Sequence, residues 1–269
     1  MHLGISSYTF PWAIGIPGHI PAYPLDEYGL LNKAIEYHVN HLQFGDNLPL
    51  HLLNDQELTD LIRRAREASI QLEVGMRGLI QENVIRYIEI AKKVQSRFLR
   101  IVIDDHDFEP DEEQVIEKIK NLIPELKKAN ILLAIENHDR FSARSLERII
   151  QKTDDKYVGI CLDTANSLGA GEGIKEIVEI LSPYTINLHI KDFRIQRLSH
   201  KMGFIVDGCI SGKGMLQIPW LIEKLEKFNR CQTATLEVWS NAESNTEQTI
   251  LKERQRADQS IEYLKQFIK

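Results

Sequence analysis

The chain is 269 residues long and 43% hydrophobic, with 33 Lys and Arg against 39 Asp and Glu, a formal charge of −6. That suffices for one large α/β core, and the acidic balance excludes nucleic acid and anionic membrane as expected partners. Cys161, Cys209 and Cys231 form no close pair, the N-terminus Met1-His-Leu-Gly-Ile lacks a basic leader, and no apolar stretch reaches membrane-span length, so reduced thiols and a cytoplasmic location are expected.

In chain order, short apolar runs alternate with segments of helical period. Strand-like runs over 3–6, 41–44, 71–74 and 98–103 are each followed by a helix, over 25–37, 55–68, 82–94 and 112–128. Runs over 131–137, 158–164, 186–192 and 233–239 follow, with helices over 145–151, 174–181, 218–228 and 247–267. Helix starts carry their own signals: Asn54-Asp55 with Glu57, and Pro110-Asp-Glu-Glu, whose acids suit the positive end of the helix dipole. Strand–helix alternation eight times over predicts a single closed (β/α)₈ TIM barrel over 1–269, with strands buried on both faces. Segments 9–24 and 193–217 are aperiodic and are expected as loops on the carboxyl face, where barrel chemistry resides.

Four of the runs end in a residue that does not belong in a core: Ile135-Glu136-Asn, Leu162-Asp163-Thr, Leu188-His189-Ile-Lys-Asp and Leu236-Glu237-Val-Trp. Singly, each has an ordinary reading: Glu136 neutralised by Arg140 or Arg144, Asp163 as a helix N-cap, His189 as a core histidine, Glu237 paired to a nearby base. Together, on consecutive strands, they are expected to converge on one divalent ion. Carboxylates with one imidazole suit Mn²⁺, Zn²⁺, Co²⁺ or Mg²⁺. His138 follows Glu136 closely, Lys191, Arg194 and Arg197 make the loop after His189 cationic, and Tyr8, Trp12 and Trp239 offer aromatic faces. All of these, with Asn166, are candidate substrate contacts. The arginines would read a carboxylate or phosphate, and the rings would stack on a sugar's C–H face. Glu73, Arg77 and the Asp104-Asp-His106 string are further candidates for the mouth.

The quoted strings, with a Gly212-Lys-Gly214 turn before Pro219-Trp220, resemble the xylose-isomerase-like barrel superfamily of sugar phosphate isomerases/epimerases and tagatose-3-epimerase-like enzymes. The resemblance implies that Glu136, Asp163, His189 and Glu237 bind the metal and that Glu136 and Glu237 are the acid/base pair. Asn166 departs from it, standing where many relatives carry histidine. The expected function is a metal-dependent isomerase or epimerase acting on a small sugar derivative through an enediolate. The rival is a lyase on the same scaffold, a decarboxylase of a 3-oxo sugar acid or a dehydratase. An apurinic endonuclease would need more histidines and less negative charge. A non-catalytic barrel would leave the charged quartet without purpose. Homo-oligomerisation is left open by the sequence.

Overall fold

The computed structural model describes residues 1–154 and 156–269. Its strands are β1 (His2–Ser6), β2 (His41–Phe44), β3 (Gln71–Arg77), β4 (Phe98–Val102), β5 (Leu132–Glu136), β6 (Val158–Asp163), β7 (Thr185–Ile190), β8 (Phe193–Arg197), β9 (Phe204–Gly208) and β10 (Thr233–Leu236). Eight of them close a barrel in the order β1-β10-β7-β6-β5-β4-β3-β2, while β8 and β9 form a separate two-stranded sheet. Every barrel pairing is parallel. The helices are α1 (Pro11–Ile14), α2 (Glu27–Glu36), α3 (Asp55–Glu67), α4 (Gln81–Val94), α5 (Glu112–Ala129), α6 (Ala143–Lys152), α7 (Ile174–Leu181), α8 (Ile218–Glu226) and α9 (Thr246–Leu264). Among the described residues no helix is long and apolar enough to cross a membrane.

The expected N-termini form for the expected reasons. Asn54 accepts from the N–H groups of Gln56 and Glu57 while Glu57 reaches back to Asn54 N, and Asp111 and Gln114 repeat this at α5. Outward strand residues such as Leu42, Val74, Leu99, Ile135 and Leu188 join helix residues Leu30, Leu61, Ile88 and Ile119 in one continuous core. A small separate cluster is formed by Phe98, Ala134, Cys161 and Ile186, one residue from each of β4 to β7.

The barrel strands are buried on both faces as expected. One expectation needs correction, that of the aperiodic segments, and one feature was not anticipated, the polar character of much of the inner face. Gln43 on β2 bonds Asn187 and His189 on β7, strands that are not neighbours in the sheet, so the contact crosses the interior. Period-two alternation of apolar with polar or small residues, as in Leu42-Gln43-Phe44 and Leu99-Arg100-Ile101, therefore separates a helix-facing side from a polar barrel axis. The aperiodic segments are structured. Residues 9–24 contain α1, and residues 193–217 contain the β8–β9 hairpin.

The hairpin is rooted by Asp192, whose carboxylate accepts from the N–H groups of Phe193, Gly212, Gly214 and Leu216 at 2.8 to 3.0 Å. Gly212 has φ +83°, and a Cβ at Gly214 would run into that carboxylate. The Gly-Lys-Gly turn thus serves to bring backbone amides onto Asp192.

Candidate active site

In-register parallel pairing sets the site. Asp163 lies opposite His189, and His189 opposite Thr235, two residues before Glu237. Glu136 ends β5. The quartet therefore meets on the carboxyl side of the barrel, with all four residues buried. His189 Nδ1 stands 3.2 Å from Glu237 Oε1, 3.4 Å from Glu136 Oε2 and 4.0 Å from Asp163 Oδ2.

Three atoms of this cluster, His189 Nδ1, Asp163 Oδ2 and Glu237 Oε2, are buried without a hydrogen-bond partner. Lys191 Nζ compensates the charge of the two carboxylate oxygens, which leaves their lone pairs and that of the neutral imidazole available to a further electrophile. The ligand atoms of Asp163, His189 and Glu237 lie within 4.8 Å of one another, and a set of carboxylate oxygens plus one imidazole nitrogen fits a divalent cation. Cys161 also comes near Glu136 and His189. Burial and the Glu136 charge, however, push its thiol well above the usual range, and it donates to Asn187 Oδ1 at 3.2 Å.

Around the quartet stands a shell of fixed charge. Arg100 Nε donates to Glu136 Oε2, and Asn166 Nδ2 donates to Glu136 Oε1 at 2.7 Å. Lys191 Nζ lies 2.8 Å from Asp163 Oδ2 and 2.9 Å from Glu237 Oε2, at ion-pair distance but off hydrogen-bond geometry. Burial opposes ionisation of Glu136 and Glu237. The cations outweigh it and hold both carboxyls below the ordinary glutamate range: Arg100, His189 and Lys191 for Glu136, and His189, Lys191 and Arg100 for Glu237. Burial likewise opposes the Lys191 charge, but Asp163, Glu237 and Glu136 keep it a firmly protonated ammonium.

Above the quartet opens a cavity of about 530 Å³ lined by Tyr8, His138, Asn166, Lys191 and Trp239, among others. These five are all substrate candidates from the sequence. Three further candidates are not brought there. Trp12 is buried and its indole donates to Ser240 O. Arg194 donates to Lys213 O, and Arg197 donates to Lys201 O with its guanidinium over the Phe204 ring, so both are spent on the hairpin. Arg140 and Arg144 pair with Asp104 and Glu147, not with Glu136. Glu73 is inside the barrel against Gln43 and His41, away from the mouth.

Arg100, Asp46 and Gln43 were not singled out from the sequence. Asp46 follows β2 in Phe44-Gly-Asp, the same strand-end signal as the quartet, and it ties Arg100, Arg77 and Tyr8 together. Arg100 was detectable only as a charge inside an apolar run, a signal that does not say which face it takes.

Residues 77–267 match the family described as xylose isomerase-like TIM barrel. The chain belongs to that family. Within this xylose isomerase-like family, it is 29% identical over 264 residues to the 3-oxo-isoapionate decarboxylase of Pectobacterium atrosepticum, covering 98% of this chain and 95% of that protein. The fold matches D-psicose 3-epimerase from Clostridium cellulolyticum H10, solved with D-tagatose, with TM-score 0.73 and 14% identity over 98% of this chain and 97% of that one. It also matches the IolI protein with a bound zinc atom, with TM-score 0.71 and 15% identity over 98% and 99%.

Proposed function

We propose that this barrel is a divalent-metal-dependent lyase that decarboxylates a small 3-oxo sugar acid. The observation that carries the reading is the engagement of Glu136. Both of its carboxylate oxygens are already held by donors, Arg100 on one and Asn166 on the other. An epimerase needs a competent base on each face of a planar intermediate, and a carboxylate tied to a buried guanidinium is a poor one. Decarboxylation removes no carbon-bound proton. It needs an electron sink beside the breaking bond and a proton donor for the carbon afterwards. The decarboxylase relative, aligned over nearly the full length of both chains, supports the same choice over the isomerase or epimerase expected first.

A divalent ion held by Glu136, Asp163, His189 and Glu237 would supply the electrophile for the carbonyl oxygen. The rest falls to side chains of this chain. Lys191, the cation shared by the cavity wall and the carboxylates, faces the substrate's carboxylate. The carbon–carbon bond breaks, its electron pair moves toward the neighbouring carbonyl and CO₂ departs. The Lys191 ammonium then delivers a proton to the carbon that lost CO₂, and water reprotonates the amine, so one solvent proton is consumed per CO₂. Tyr8 and Trp239 give the sugar's C–H faces an apolar wall.

The test is turnover of Mn²⁺-loaded protein on 3-oxo sugar acids, keto sugars and sugar phosphates in D₂O, following CO₂ and carbon-bound deuterium. One CO₂ per turnover with one deuterium at the carbon that lost it is expected. An isomer or epimer formed without CO₂ would overturn the lyase reading and restore the isomerase.

A further inference from the structure

Beneath the quartet lies a second polar layer that the proposed chemistry does not use. Asn187 Nδ2 stands 2.8 Å from Thr233 Oγ1 and 3.2 Å from Thr233 O. A backbone carbonyl only accepts, so the amide nitrogen of Asn187 must face it, and Asn187 Oδ1 must face the barrel axis. There it receives the Cys161 thiol and Gln43 Nε2, the latter at 3.3 Å. Because that oxygen also only accepts, the nitrogen end of Gln43 is turned toward it, where it donates to Glu73 Oε2 as well, at 3.2 Å. The remaining end, Gln43 Oε1, is 2.8 Å from His189 Nε2.

An amide oxygen cannot donate, so His189 Nε2 carries a hydrogen whether the ring is neutral or protonated. In the neutral ring that metal binding requires, Nδ1 is the nitrogen left to present a lone pair to the space among the three carboxylates. We infer that Gln43, set in turn by Asn187, is a positioning residue that fixes the ring rotation and tautomer of His189 so that Nδ1 is the metal donor. The inference rests on the metal reading above and not on the reaction assigned to it. Its energetic logic is that Gln43, Glu73 and Asn187 are all buried in a barrel interior that branched apolar residues normally fill. Such a network repays its desolvation only when every member is satisfied, and it then holds its members rigidly.

Zn²⁺ affinity measured by competition with a chromophoric chelator, and ¹⁵N spectra of histidine-labelled, zinc-loaded protein, test it without any substrate. The wild type is expected to bind zinc through His189 Nδ1 with the hydrogen on Nε2. Gln43→Met removes the acceptor at similar length and should weaken zinc affinity by about tenfold to hundredfold while the metal-free protein melts as before. Asn187→Leu frees Gln43 to turn and should give a smaller loss in the same direction. Zinc on Nε2 in the wild-type spectrum, or a folded Gln43→Met protein with affinity within twofold of wild type, overturns the inference while leaving the metal site standing. A wild type that binds no zinc fails earlier in the same titration and sinks the metal reading itself.

Discussion

Arg100 Nε donates to Glu136 Oε2 inside the barrel, joining β4 to β5, with only 4% and 1% of the two side chains exposed. The same guanidinium reaches Asp46 Oδ1 at 2.8 Å through Nη1, so one cation compensates two carboxylates from different strand ends. Breaking a buried pair from one side strands the other charge, at a cost of about 3–5 kcal/mol. Arg100→Met is therefore expected to lower the urea midpoint of metal-free protein by a corresponding amount. Arg100→Lys keeps the charge but cannot serve both acceptors with a planar fork, and should lose less stability. An unchanged midpoint in Arg100→Met would show that Glu136 is held by something else.

Lys191 has two roles that pull in opposite directions. Its ammonium sits against the two oxygens a divalent ion would take, Asp163 Oδ2 and Glu237 Oε2, and so competes with the ion for them. It is also the proton donor of the proposed reaction. Lys191→Met should therefore bind Mn²⁺ or Zn²⁺ more tightly than wild type while turnover falls by roughly 10²- to 10⁴-fold. Isothermal titration and initial rates on the same preparation check both halves. Weaker metal binding together with retained turnover would contradict both.

Arg194 and Arg197 spend their donors on backbone carbonyls of the loop that carries them. Single alanine substitutions at each are expected to leave kcat/KM within about twofold, since partners on an exposed hairpin contribute little. A loss of tenfold or more on an acidic substrate, absent on a neutral one, would return the anion-reading role expected from sequence.

How much was readable follows from what each residue's job depends on. The quartet and the barrel were legible because an acid or histidine closing an apolar run is a local signal, and parallel pairing in register makes four such ends converge. Gln43 and Arg100 were not, because their meaning lies in a cross-barrel contact that one strand's pattern does not contain. The hairpin escaped for a related reason. Phe193-Arg-Ile-Gln-Arg does alternate, but its cations suggested a ligand-reading loop more readily than an exposed strand pair. Trp12 was misplaced because aromatic residues near a first loop suit a sugar wall and a buried brace equally, and only the Ser240 carbonyl, far along the chain, decides.

Glu253, fully buried on α9, accepts from the N–H groups of Trp12 and Ala13 at 2.8 and 3.1 Å. Burial outweighs those two donors and raises its carboxyl from 4.5 to about 8. Below 4.5 the folded and unfolded states are both protonated and the group is neutral to stability. Between 4.5 and about 8 the folded state holds the extra proton, so stability falls as pH rises, by at most about 1.4 kcal/mol per pH unit, and the loss is complete above that range. Glu253→Gln should flatten this slope, although its amide can accept from only one of the two N–H groups and so lowers the melting point at pH 5. Parallel melting curves for the two proteins from pH 5 to 8.5 would show the assignment to be wrong.

Asp192 gathers the start and the end of the β8–β9 excursion onto one carboxylate. Asp192 ties the base of the excursion next to Lys191, and Asp207 and Ser211 fasten its return to Arg256 and Ser260 on α9, while β7 and β10 go on pairing beneath it as direct neighbours in the barrel. The tip of the excursion, residues 198–203, is exposed and lies outside those ties, so changes in its length or sequence are expected to leave the carboxylates below in place. The shape of the roof over the cavity, where Val206 looks in, can thus drift from one descendant of this chain to another while the charge arrangement stays put.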